Sequence, residues 1–258
     1  MPETRIIAVA NQKGGVGKTT TAINLGAALA ERGLKVAIVD LDPQGNASTG
    51  LGVPFEAREL TSYDLLTGEP TLQEVLHVSP IQNLSVVPSN RDLASADFEL
   101  SSRSGRTQLL RRKLTADSGF DFILIDCPPA LGLLTINAMV AAGSVLVPLQ
   151  AEFYALEGLS QLLMTVREVR QSANPDLRID GVLLTMSDNR NNLSQQVEAD
   201  ARSTLAGLVY RTVIPRNVRL SEAPSHAMPV LQYDPHSKGS AAYRELAQEF
   251  LSRQYVTA

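Results

Sequence analysis

The chain has 258 residues and a formal net charge of −4, with 44% hydrophobic residues, 5% aromatic residues and no Trp. The apolar fraction is ample for a sizeable core, and the mild acidity is unlike a dedicated duplex binder, so any contact with nucleic acid must come from a local patch. The single cysteine, Cys127, excludes a disulfide framework and an all-cysteine metal site, and also an iron–sulfur cluster bridged between subunits, which needs two cysteines per chain.

Residues 6–10, Ile-Ile-Ala-Val-Ala, predict a buried strand, and residues 22–32, with Ile23, Ala27 and Ala30 at helical spacing, predict a helix. Between them runs Asn11-Gln-Lys-Gly-Gly-Val-Gly-Lys-Thr-Thr-Thr21. Strand, glycine loop and helix in that order form the layout of a phosphate-binding loop. Gly14, Gly15 and Gly17 let successive backbone N–H groups turn inward, and the helix that follows adds its positive end. Lys18 is then placed to reach the β- and γ-phosphates, and the Thr19 hydroxyl to bind Mg2+. The strict pattern asks for glycine six residues before the lysine, where this chain has Gln12. A second lysine, Lys13, opens the loop instead.

Residues 35–40 predict a second strand, apolar through its middle and ending in Asp40, followed by Leu41-Asp42-Pro43-Gln44-Gly45-Asn46. Short helical pieces are expected at 62–66 and 72–77, a strand at 84–88, and an amphipathic helix at 104–116 with Leu109, Leu110 and Leu114 inward. Residues 120–126 predict a third buried strand that closes on Asp126, the arrangement of a Walker B carboxylate. Helices are expected at 133–142, 155–172, 193–205 and 240–252, and strands at 144–149, 178–186 and 209–214. Residues 215–224 read as a loop with one turn of helix. Continuous apolar strands alternating with helices imply an α/β fold with a doubly wound, mostly parallel sheet, helices on both faces, and one domain over 1–258. Neither a signal peptide nor a long uninterrupted apolar segment is evident, so a soluble cytoplasmic protein is expected.

Two carboxylates at the end of a strand beside a phosphate loop lie where an open α/β sheet binds its ligand. Lys18 and the loop amides supply charge neutralisation, and Thr19 and Asp126 a metal shell that Asp40 supports. Asp42 is the candidate for orienting an attacking water. The nucleotide-binding stretch is Lys13, Gly14, Gly15, Val16, Gly17, Lys18, Thr19 and Thr20.

The loop from Lys13 to Thr19 resembles the deviant Walker A motif of the ParA/MinD family of ATPases. Residues 39–46, Val-Asp-Leu-Asp-Pro-Gln-Gly-Asn, and 125–129, Ile-Asp-Cys-Pro-Pro, resemble two further signatures of ParA-type partition ATPases. Residues 215–226, Pro-Arg-Asn-Val-Arg-Leu-Ser-Glu-Ala-Pro-Ser-His, resemble a stretch of chromosomal Soj-type members. The similarity covers about residues 5–250. It implies a P-loop NTPase fold, ATP and Mg2+ as cofactors, and slow ATP hydrolysis by an ATP-bound sandwich homodimer. Lys13 would cross to the partner's nucleotide, and Pro215 and Asn217 would sit at the adenine. It further implies that the dimer binds double-stranded DNA without sequence preference, associated with the nucleoid, and that a ParB-type centromere-binding partner stimulates hydrolysis. Arg190 and Arg219 match positions that contact the DNA backbone in the family.

Arg190, Arg216, Arg219 and Lys238 are the candidate DNA-binding cations, expected to have few acids close by. Arginine bridges phosphate oxygens without reading bases. Ala227 and Met228 depart from the family, which often has Gly and Lys after the Ser-His pair, and this removes one positive charge. No additional DNA-binding domain precedes the loop, so operon autorepression is not expected. The alternative is a MinD-like positioning ATPase on a membrane or protein cargo. That needs a basic amphipathic terminal helix, whereas residues 241–253 place Leu246, Phe250 and Leu251 on one side and mixed charges on the other, which suits docking on the core, with no membrane contact. A P-loop ligase would need a further polar constellation, and the sequence displays none.

Overall fold

The computed structural model describes residues 3–115, 118–152, 155–188 and 190–256. Among them seven strands form one sheet: β1 (Arg5–Val9), β2 (Val36–Asp40), β3 (His77–Val78), β4 (Leu84–Val87), β5 (Phe122–Asp126), β6 (Ser144–Gln150) and β7 (Arg178–Thr185), in the order β3-β4-β2-β5-β1-β6-β7. The pairs are parallel except β3 with β4. The apolar runs are continuous because both faces are covered and neighbouring residues go to opposite sides. Ile7, Ile38 and Leu124 pack with Leu25 and Leu29 of helix Lys18–Glu31 and with Tyr243, Leu246 and Phe250 of helix Lys238–Val256. Ala8, Val39, Ile123 and Ile125 face the other way, toward helices Leu133–Ala141 and Ala155–Ser172. The doubly wound sheet is therefore as the sequence implies. The last helix buries Tyr243, Leu246 and Phe250 completely.

Three elements differ from expectation. Residues 209–214 do not join the sheet as a strand. Isolated bridges at Val182–Val209 and Ser187–Pro215 form instead: the Tyr210 and Ile214 amides reach the Val182 and Leu184 carbonyls, each at 2.9 Å, but the Thr212 amide between them is taken, with that of Arg211, by the Glu249 carboxylate of the last helix, each at 2.8 Å. The helix expected at 72–77 ends at Val75, and Leu76 turns extended so that His77–Val78 becomes the antiparallel edge strand. The helix expected at 104–116 shrinks to a 3-10 turn, Arg106–Gln108, and helix Leu109–Lys113. Its start is set by the buried Asn137 side chain, whose Oδ1 accepts from the Leu109 and Leu110 amides, and residue 116 lies outside the described residues. A further short helix, Asn46–Gly50, follows the acidic loop directly.

Candidate nucleotide site

Register brings the site together. Asp40 pairs with Asp126 across β2 and β5, and Asp126 pairs with Val9 across β5 and β1. Both carboxylates and the start of the glycine loop therefore meet at the carboxyl edge of the sheet. That crevice is where open α/β sheets take their ligands.

The loop is held at both ends. Asn11 donates to the Pro148 carbonyl at 2.7 Å and accepts from the Lys13 amide at 3.0 Å. Thr185, at the end of β7, donates to the Val16 carbonyl at 2.9 Å. Gly15 and Gly17 adopt φ values of 74° and 86°, the left-handed region that side chains resist. Gly17 caps helix Lys18–Glu31, so the helix begins with its amides directed at the loop. The Lys18 ammonium curls back to donate to the Lys13 carbonyl at 2.9 Å. Burial lowers its pKa from the ordinary value, against the opposing pull of Asp126, Cys127 and Asp42.

The two strand-end carboxylates differ in what they are bonded to. Asp40 is fully buried, and its oxygens accept from the Asp42 amide at 3.1 Å and from the Ser48 amide and hydroxyl at 2.8 and 2.6 Å. Burial pushes its pKa up to about 6 against those bonds. Both of its oxygens are thus engaged by the loop and helix that follow it. Asp126 is equally buried, yet among the described residues neither of its oxygens has a hydrogen-bond partner. The Thr19 hydroxyl is near enough to favour its ionised form but makes no bond of proper geometry, and burial with the Asp40 charge holds its pKa well above the carboxylate range. An orphaned buried carboxylate beside a loop threonine fits Mg2+, which takes one or two carboxylates and completes its shell with water and phosphate oxygens. Among the described residues no three His, Cys, Asp or Glu groups form a ready-made cage, so the phosphates would have to complete that shell. Asp42 is buried at the edge of the crevice, with Oδ1 accepting from the Gln44 amide at 3.0 Å.

Beside the loop opens a cavity of about 350 Å³ lined by Gly17, Thr20, Met186, Pro215, Asn217 and Tyr243 among others. It brings Pro215 and Asn217 next to the loop. Asn217 Oδ1 accepts from the Arg219 amide at 2.8 Å and so caps helix Val218–Glu222. Sequence reasoning missed Met186 and Tyr243. Met186 has φ 52° just after β7, at the same carboxyl edge that carries the other groups, and that placement was the available signal. On the opposite side of the loop Gly14 faces Pro129, and a Cβ added at that glycine would lie 3.8 Å from the proline ring, in ordinary contact.

Lys13 does not point away from its own chain. Its ammonium pairs with Glu152, just beyond β6. The candidate DNA cations are also less bare than expected. Arg190 forms a two-pronged pair with Asp188, both contacts at 3.0 Å, holding that carboxyl down at about 2. Arg219 pairs with Glu222 at 2.8 Å and Asp234 at 3.2 Å. These acids lie two, three and fifteen residues away in sequence: Glu222 is one turn along the same short helix as Arg219, whereas Asp188 and Asp234 lie outside helices, where no periodicity announces them. Arg190, Arg216 and Lys238 line one depression of about 660 Å³, next to Pro215 and shared with Glu245, and Arg219 is not among its lining residues.

A family model described as an AAA domain matches residues 4–179. The chain is 52% identical to sporulation initiation inhibitor protein Soj of Bacillus subtilis, over 95% of this chain and 97% of that protein. It is 52% identical to chromosome partitioning protein ParA of Caulobacter vibrioides, over 97% and 95%. Among solved structures it is similar to cobyrinic acid a,c-diamide synthase from Mycobacterium smegmatis with bound ADP and magnesium, with TM-score 0.86 and 39% identity over 99% and 97% of the two chains. It is also similar to the cell division ATPase MinD of Pyrococcus furiosus, with TM-score 0.80 and 28% identity over 96% and 98%.

Proposed function

We propose, for a chain that belongs to the Soj/ParA family of chromosome-partitioning ATPases, that it is a slow ATPase whose ATP-bound homodimer binds double-stranded DNA without sequence preference. A ParB-type partner would accelerate hydrolysis and reset the switch. The observation that carries the reading is the meeting of Lys18, Thr19 and the unbonded oxygens of Asp126 at one edge of the sheet.

Each residue has a distinct task. The loop amides from Gly14 to Thr20 and the Lys18 ammonium bind and neutralise the β- and γ-phosphates. Thr19 and Asp126 are the groups that would hold Mg2+, which when bound supplies further charge neutralisation across the phosphate oxygens. Asp40 supports that shell by organising the loop that carries Asp42. Asp42 holds the attacking water in line. Pro215 and Asn217 wall the cavity for the base. Lys13 leaves Glu152 and reaches the nucleotide of the partner. Two weak cation patches brought together by the dimer bind a duplex far better than one, so nucleotide gates DNA contact through geometry. Arg190, Arg216, Arg219 and Lys238 supply those patches once their acidic neighbours yield to phosphate.

Higher identity over nearly the full length supports partitioning above the two other activities named among the fold's relatives. A MinD-like role on membranes is disfavoured because the apolar side of the last helix is spent on the core, and among the described residues no helix is long and apolar enough to cross a membrane. The deciding experiment is Asp42→Ala with ATP, Mg2+ and duplex DNA, followed by sedimentation. The variant stays dimeric and DNA-bound while the wild type turns over and releases. A variant that remains monomeric, or one that hydrolyses at the wild-type rate, refutes the assignment.

A further inference from the structure

A carboxylate that orients water has to be held still, yet the turn from Asp42 to Gly45 has few bonds of its own. The Gln44 amide returns to the Asp42 side chain at 3.0 Å and the Gly45 amide to the Asp42 carbonyl at 2.9 Å. What fixes the turn comes from around it. On the buried side Asp40 grips the Ser48 hydroxyl, which accepts from the Ser89 amide at 2.9 Å. On the outer side lies the Arg58 guanidinium. Its Nη1 donates to the Ser89 carbonyl at 2.9 Å, and its Nη2 to Thr49 Oγ1 at 2.8 Å, the Val53 carbonyl at 2.9 Å and the Gly45 carbonyl at 3.4 Å.

Gly45 records how closely this group is seated. Its φ is 65°, and a Cβ there would collide with Arg58 Nη1. The guanidinium therefore rests on the α-carbon of the turn, in space that only glycine leaves open. Asp40, Ser48, Ser89, Arg58 and Gly45 form a closed circuit of hydrogen bonds and contact around the Asp42 turn. The planar fork of arginine reaches several carbonyls at once, which the single ammonium of lysine cannot do.

We propose that Arg58 is a positioning residue for the ATPase reaction, fixing the Asp42 turn through Gly45 and Thr49. The inference rests on the role given to Asp42 above. The hydrogen bonds of Arg58 go to Gly45, Thr49, Val53 and Ser89, not to the glycine loop or the Asp42 and Asp126 carboxylates, so it acts through the turn.

The test compares Arg58→Ala, Arg58→Lys, Asp42→Ala and the Arg58→Ala/Asp42→Ala double variant. Melting temperature, affinity for a non-hydrolysable ATP analogue, kcat, KM and the lifetime of the ATP-bound dimer are measured. Both Arg58 variants keep analogue affinity within about threefold and lose about 10- to 100-fold in kcat, with a longer-lived ATP-bound dimer, as expected for a misplaced group. Arg58→Ala adds nothing further in the Asp42→Ala background, because the two act as one unit. A folded Arg58→Lys with wild-type kcat overturns the proposal, as does a loss confined to KM or one that adds fully to that of Asp42→Ala. If Arg58→Ala does not fold, Arg58→Lys carries the test alone. Wild-type turnover in Asp42→Ala sinks the role of Asp42 and that of Arg58 with it, whereas a normal Arg58→Lys beside a slow Asp42→Ala sinks the role of Arg58 alone.

Discussion

Replacing Glu152 with Gln isolates the step at which Lys13, on the proposed reading, leaves its own chain. In the single chain the Lys13 ammonium pairs with Glu152 Oε2, with side chains 40% and 48% exposed, while the other carboxylate oxygen accepts from Gln150. An ion pair that exposed is worth about 0.2–1 kcal/mol. A symmetric clasp opens two of them, so the total cost of release is about 0.4–2 kcal/mol. Glutamine keeps an acceptor for Gln150 but removes the charge, and the dimer dissociation constant should fall by about 2- to 30-fold at about 1.4 kcal/mol per decade. Sedimentation equilibrium in a non-hydrolysable ATP analogue with Mg2+ reads this directly. The gain should shrink from about 0.1 M toward 1 M salt, where the screening length drops from about 10 to about 3 Å. A Glu152→Gln dimer weaker than wild type, or a gain indifferent to salt, refutes the reasoning and makes Glu152 a part of the clasp.

Asp126→Asn should raise the melting temperature of the nucleotide-free protein at neutral pH while abolishing Mg2+-dependent hydrolysis. The folded-state pKa of Asp126 is raised, so the wild type gains relative stability as pH falls through that raised value, and the gap between the two proteins narrows toward acid; calorimetry at several pH values checks it. Arg219→Ala should weaken binding to unrelated duplexes equally and reduce the salt slope by about 1 for each phosphate it ceases to neutralise, and Glu222→Gln, which removes one of the two acids paired with the same guanidinium, should strengthen binding; anisotropy titrations over a salt series decide. Strong sequence preference in the wild type would contradict both.

Much of the scaffold was legible because it rests on local rules. Strands buried on both faces read as unbroken apolar runs, and glycines 14, 15 and 17 mark a loop that needs left-handed backbone at two of them. The strand-end positions of Asp40 and Asp126 followed from those runs. What escaped depends on partners far along the chain. Residues 209–214 have the composition of a strand, and the Tyr210 and Ile214 amides still reach β7, but Glu249, 37 residues from Thr212, takes the Thr212 amide between them, which a continuous ladder would need. Lys13 and Glu152 lie 139 residues apart, and nothing in either segment announces the pair. Tyr243 reads as one more core position on a helix, and its place in the wall of the cavity beside the glycine loop emerges only when that helix packs beside Thr21.

The failure of residues 209–214 to zip onto the sheet has a mechanical consequence. The chain that supplies Ile214, Pro215 and Asn217 to the cavity beside the glycine loop is held from two sides, by bridges and backbone hydrogen bonds to β7 and the residues just after it and by the Glu249 carboxylate on the terminal helix. That same helix presents Tyr243 to the cavity from the other side. A rotation of the terminal helix by a fraction of a turn would therefore move Tyr243 and the segment that carries Pro215 and Asn217 together, so this cavity and the seating of the helix are mechanically linked.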